Sequence, residues 1–154
     1  MGDYTELHYF VELKQETPSH VIDILNLLVW PKDMDYDTRK ALLEAIQLPD
    51  HHFFRTPRWE GIFLGESYYH STRNMRKFVF DEISEAWFLS VNTQLKNYDR
   101  EFQEFIDWAD PYIEAFSGEL LGYYHDEYSN CPFLIFKNCF PHQVSKYNVP
   151  DEAE

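Results

Sequence analysis

Seven histidines, two cysteines and 27 carboxylates are the groups in this chain that could bind a metal, attack a carbonyl or move a proton. They form no recognisable motif: there is no P-loop, no G-x-G-x-x-G, no G-x-S-x-G, no H-E-x-x-H and no paired C-x-x-C. The metal-ligand types with any clustering are His125-Asp126-Glu127, with His51, His52, His70 and Cys131. On a strand His125 and Glu127 would share a face, as ligands of one divalent ion must, whereas adjacent His51 and His52 would point apart. A solvated hairpin end explains the first set equally well, so no metal and no cofactor is expected. Cys131 and Cys139 have no local signature of an activated thiol and read as small buried residues. If the eight-residue step between them is one strand, at ~3.3 Å per residue they lie too far apart for a disulfide, which needs Cα atoms within about 7 Å.

Two residue sets could bind a protein partner. Glu101, Glu104 and Asp107 recur at helical spacing and predict an acidic outer face on a helix. Tyr123, Tyr124, Asp126 and Tyr128 lie at a hairpin end, where aromatic rings and a carboxylate could anchor a partner. A different set, Arg55, Arg58, Trp59 and Tyr69, combines cations with rings and could line a pocket for a small anionic ligand. The same arginines could instead pair with the abundant carboxylates.

The elements that must position these residues follow from periodicity. Leu7, Tyr9, Val11 and Leu13 alternate with His8, Phe10 and Glu12, predicting a strand with one apolar face. Thr17-Pro18-Ser19 suits a helix start with a hydroxyl cap; Val21, Ile22, Leu25, Leu28 and Val29 form its stripe, and Pro31 stops it. Asp35 or Asp37 can cap a second helix whose Ala41, Leu42, Ala45 and Ile46 are expected to face inward. His51 to Trp59 reads as an aromatic and basic loop. Glu60 to Tyr69 and Met75 to Glu82 are expected to pair as a hairpin, and Glu85 to Thr93 to form a strand. Asn97 or Asp99 caps a helix with Phe102, Phe105, Ile106 and Ala109 inward and Glu101, Gln103, Glu104 and Asp107 outward, ended or kinked at Pro111. Glu119 to Glu127 and Pro132 to Phe140 close the chain as a second hairpin.

Two segments invite comparison. Gly61-Ile62-Phe63-Leu64-Gly65 through Phe78-Val79-Phe80 parallels Gly118-Glu119-Leu120-Leu121-Gly122 through Leu134-Ile135-Phe136. The spacing predicts a strand-helix-strand-strand unit used twice, over residues 5–82 and 85–140, with an insertion between helix and hairpin of the first copy. The expected fold is therefore α+β: a two-layer sandwich with a mostly antiparallel six-stranded sheet, helices on one face, and an internal two-fold axis bringing the equivalent helices side by side. One domain spans residues 1–145, followed by an acidic polar tail over 146–154.

At 154 residues with 44% hydrophobic and 18% aromatic content, the chain can build a single ring-rich core. Its net charge of −14 opposes direct binding to nucleic acid or an anionic membrane. The same charge gives solubility, or steers a basic protein partner. The opening Met1 to Glu6 lacks both the basic start and the apolar stretch of a signal peptide, and the longest apolar run is too short to span a bilayer, so a cytoplasmic monomer or homodimer is expected.

Trp87-Phe88-Leu89, Lys96-Asn97-Tyr98-Asp99, Phe105-Ile106-Asp107-Trp108, Pro111-Tyr112, Gly118, Leu121-Gly122-Tyr123, Glu127 and Pro132 carry a resemblance. Over the last third of the chain they are similar to small bacterial α+β proteins that resemble immunity proteins of toxin systems. The resemblance implies a bacterial or phage origin and no catalytic residues. Together these readings predict a small, acidic, non-enzymatic module that binds a basic protein as an immunity or inhibitor protein does. The alternative is a small-molecule enzyme or ligand-binding domain with its pocket between the two halves.

Overall fold

The computed structural model describes residues 3–66 and 73–138. Five strands form one antiparallel sheet in the order β2-β3-β1-β4-β5: β1 Thr5–Glu12, β2 Met75–Asp81, β3 Ala86–Leu95, β4 Leu120–Asp126 and β5 Phe133–Phe136. Three α-helices, α1 Ser19–Val29, α2 Tyr36–Ala45 and α3 Glu101–Ala109, complete the α+β layers, with 3-10 turns at His52–Arg55, Trp59–Gly61 and Asp110–Tyr112.

β1 is central because both of its edges are paired: Tyr9 lies opposite Val91 of β3 and opposite Gly122 of β4. Its inward residues Leu7, Tyr9 and Val11 are buried and meet the rings that the helices bring down, Tyr9 lying edge-on to Phe105 of α3 at 5.8 Å. Phe105 is also edge-on to Phe53 and Phe63, and Phe53 stacks on Trp108. Edge-to-face pairs of this kind contribute about 0.5–1.5 kcal/mol each beyond the area they bury. Below them lies a buried charge pair. Lys137 donates to the Asp110 backbone oxygen at 2.6 Å and lies 3.4 Å from its carboxylate, which also accepts from the Asn138 N–H. Burial, and then the charge of Asp110, pushes the Tyr9 phenol well above its ordinary range.

Several expectations are corrected. Among the described residues the sheet has five strands, because residues 60–66 do not form the strand expected over Glu60 to Tyr69; β2 pairs directly with β3. Trp59, Ile62 and Phe63 are all buried, a spacing that a helical turn satisfies and a strand would split between two faces. With that strand missing, the duplicated unit is not seen. α3 packs instead against the His52–Arg55 turn, so the loop expected over His51 to Trp59 is core, with Phe53, Phe54 and Trp59 buried. α2 is inverted relative to expectation: Ala41, Leu42 and Ala45 are exposed and its buried residue is Arg39. The cap of α1 is Pro18 rather than a hydroxyl, since Thr17 Oγ1 donates to the Lys14 carbonyl. Cys131 is exposed rather than buried. Tyr69, His70, Cys139 and the tail expected over 146–154 lie outside the described residues.

Candidate functional site

Alternation places Glu6, His8, Phe10 and Glu12 of β1 on the sheet face opposite the core. In register with them stand Gln94, Asn92, Ser90 and Phe88 of β3, and beyond those Met75, Lys77 and Val79 of β2. On the other side Tyr123 and His125 of β4 face His8 and Glu6. At one end of this face lies a polar aromatic cluster: the His8 ring stacks on Tyr123 at 4.4 Å and its Nε2 sits 2.7 Å from the Glu6 carboxylate. Partial burial and then Glu6 raise the Tyr123 phenol above its ordinary value.

The opposite end is apolar and open. Phe10, in the central strand, is 70% exposed, and Val79 is 42% exposed beside half-buried Phe88. The β2–β3 turn at the same end presents Ile83, 94% exposed, between exposed Glu82 and Glu85. An exposed apolar side chain is unremarkable in a loop. A phenylalanine in the middle of a central strand is different, because the flanking strands present neighbours that could cover it and here do not. Alternation had already placed Phe10 opposite the core, so its phase was readable, but its isolation was not.

The residues expected to bind a partner are scattered by the fold. Glu101 is fully buried: its carboxylate sits 3.2 Å from Arg58 and accepts the Asp99 N–H. Gln103, also expected outward, is buried and accepts from Asn97. Glu104 and Asp107 are half-buried beside His51. Tyr124 belongs to the core, stacked on Phe133, and its phenol is raised chiefly by burial. Tyr123 lies on the open face, Asp126 accepts from the Thr5 hydroxyl, and Tyr128 is 72% exposed. The alternative pocket set disperses too. Arg55 pairs with Asp50, Arg58 with Asp99 and Glu101, and Trp59 packs on Phe53 and Phe54.

His51, Glu104 and Asp107 are a group of metal-ligand atoms lying within 4.8 Å of one another. Their hydrogen bonds argue against an ion there. His51 Nδ1 accepts the Phe53 N–H at 3.0 Å, so the neutral ring carries its proton on Nε2, which donates to Asp107 at 2.9 Å. A ligating Nε2 would need that proton on Nδ1, at the expense of the Phe53 bond. The group works as a cap on the 3-10 turn and a tie from that turn to α3.

No helix among the described residues is long and apolar enough to cross a membrane. Comparison with protein families, with characterised proteins and with solved structures finds no match.

Proposed function

We propose that this protein is a non-enzymatic binding module that docks a basic protein partner on the open face of its sheet, as an immunity or inhibitor protein would. The observation that carries the reading is Phe10, 70% exposed at the centre of the sheet with Val79 and Phe88 in the neighbouring rows. Rings in such a position supply the desolvated anchor of an interface. Glu12 on the same face, and Glu82 and Glu85 in the adjoining turn, outnumber the exposed Lys77 of that face and make the surroundings of Phe10 net acidic. The net charge of −14 adds long-range steering toward a cationic surface. Glu104, half-buried on α3, adds to the acidic field without being the anchor, whereas Asp107 is tied to His51.

The test compares two baits, the native protein and Phe10→Asp, in pull-downs from the source cells at low and high salt. Phe10 is largely solvated, so the substitution leaves the fold intact by circular dichroism. The expected result is one basic protein captured by the native bait, weakened by salt and lost with Phe10→Asp. With that protein purified, the variant raises Kd by about thirtyfold, corresponding to the ~2 kcal/mol of a hot-spot residue. Identical capture by both baits would refute the open face as the docking surface.

A further inference from the structure

We propose that the corner where α1 ends, α2 begins and β2 starts is a binding site for a small planar anion, an aromatic phosphate or carboxylate. A cavity of about 290 Å³ opens there, lined by Trp30, Pro31, Lys32, Asn74, Met75 and Arg76 together with Val29. Among the described residues that lining holds two cationic side chains and no carboxylate. A shallow, open depression beside it shares Trp30, Pro31, Lys32 and Arg76 and adds Tyr36. Small-molecule sites fall in this size range and pair apolar or aromatic walls with a few polar groups. Asp35 also borders that depression, but its carboxylate is committed to the Thr38 N–H at the start of α2. Glu66 is likewise committed to the Asn74 N–H. The carboxylate-free cavity is therefore the anion's place.

Acidic residues outnumber basic ones 27 to 13, so an arginine here has carboxylates to choose from. Arg55 and Arg58 have taken them. Arg39 and Arg76 have none within ion-pair distance among the described residues, although Arg39 is 93% buried, being 7% exposed, and Arg76 is half-buried. The α1 carbonyls account for part of their bonding: Arg39 Nε donates to Leu27 and Arg76 Nε to Val29, completing the helix end. Arg76 Nη1 then donates to the Asn74 side-chain oxygen at 2.8 Å, which holds the guanidinium plane still. Its Nη2 has no protein partner among the described residues, and exposed Lys32 stands on the same wall.

The aromatic wall is held just as firmly. Trp30 sits at φ 55°, a left-handed conformation that a bulky side chain seldom adopts. Its Nε1 donates to the Met34 carbonyl at 2.7 Å and the Arg39 guanidinium lies 4.7 Å from its ring centre. That conformation ends α1 as its C-cap, the Trp30 N–H donating to the Asn26 carbonyl at 3.1 Å, and so fixes where the indole stands. A planar ligand would lie against the Trp30 indole with its charge on Arg76 Nη2 and Lys32. Met75 is shared with the edge of the open sheet face, but Trp30, Lys32, Asn74 and Arg76 are not part of that face, so variants at Lys32 or Arg76 test this site separately from Phe10.

Phenyl phosphate is the probe, with inorganic phosphate and benzyl alcohol as the arms lacking the ring or the charge. Binding is followed by NMR through the indole N–H signal of Trp30, assigned with Trp30→Phe, at low ionic strength. The expected result is a saturable shift of that signal with phenyl phosphate and weaker binding of either arm. Arg76→Gln and Lys32→Gln should each weaken phenyl phosphate by about tenfold, the loss of one charge-assisted contact. Arg76 also caps α1; if Arg76→Gln unfolds, Lys32→Gln, on an exposed side chain, decides alone. No saturable shift, equal binding of inorganic phosphate, or undiminished affinity in Lys32→Gln would overturn the proposal.

Discussion

Individual side chains here do different work from what their types suggest. Glu101 looks like part of an acidic stripe, yet its buried carboxylate holds Arg58 and the Asp99 N–H at the edge of the core. Arg39 looks like a solvated helix residue, yet it docks α2 together with Leu43, which packs against the core. Both cases follow from one rule: a buried charge is tolerated when its hydrogen-bonding capacity is met. Lys137 and Asp110 are the strictest instance, both nearly without solvent contact. Lys137→Met removes one partner and leaves the Asp110 carboxylate buried, which is expected to cost about 3–5 kcal/mol. Urea denaturation followed by tryptophan fluorescence measures this; a change below about 1 kcal/mol, the level of an exposed pair, would show that the pair is not sequestered.

At the scale of elements, caps and close approaches set what each segment can do. Asp35 caps α2 by accepting the Thr38 N–H at 2.7 Å, and that bond, then the Thr38 side chain, holds its carboxyl below the ordinary range. Its folded value is the lower one, so its contribution is fully present above the unfolded value of about 3.9 and is lost as pH falls through the folded value. Asp35→Asn keeps an acceptor but has no proton to bind. Melting curves from pH 7 to 2.5 should show the native protein's advantage over Asp35→Asn present at neutral pH and gone at the acid end. A difference constant with pH would separate the cap from the carboxylate charge. Gly122 serves closeness: a Cβ there would come 2.0 Å from the His8 carbonyl oxygen across the β1–β4 ladder. Gly122→Ala should therefore cost about 1–3 kcal/mol, the range for overpacking a tight site. Retention of native stability on chemical denaturation would show that the two strands can part without loss.

For the whole molecule, the excess of 14 negative charges is the dominant electrostatic fact. Like charges spread over a surface repel, and folding brings them closer together. Raising salt from about 10 to 300 mM shortens the screening length from about 30 Å to below 8 Å. The melting temperature should rise over that range, despite weakening of exposed pairs such as Arg55–Asp50. A fall on adding salt would mean that specific ion pairs outweigh the general repulsion. The same repulsion favours a cationic partner at the open face over a second copy of this chain.

Much of this architecture was legible in the chain itself. Alternation of Leu7, Tyr9, Val11 and Leu13 determined which face of β1 is buried, and all four side chains are. The spacing of Phe102, Phe105, Ile106 and Ala109 determined the inner face of α3, and Pro111 its end, where the chain passes into a 3-10 turn. These patterns are local: neighbours in sequence suffice to specify them. Tertiary structure alone decided the rest. Whether residues 60–66 became a strand depended on where Trp59, Ile62 and Phe63 could be buried together. Whether Glu101 faced out depended on Arg58 arriving from another segment. Nor did the series Val29, Trp30, Pro31, Lys32 announce a cavity, because its second cation and its amide come from Arg76 and Asn74 across the fold. Periodicity records which side of an element is apolar, whereas a site is made by chain segments that sequence spacing does not relate.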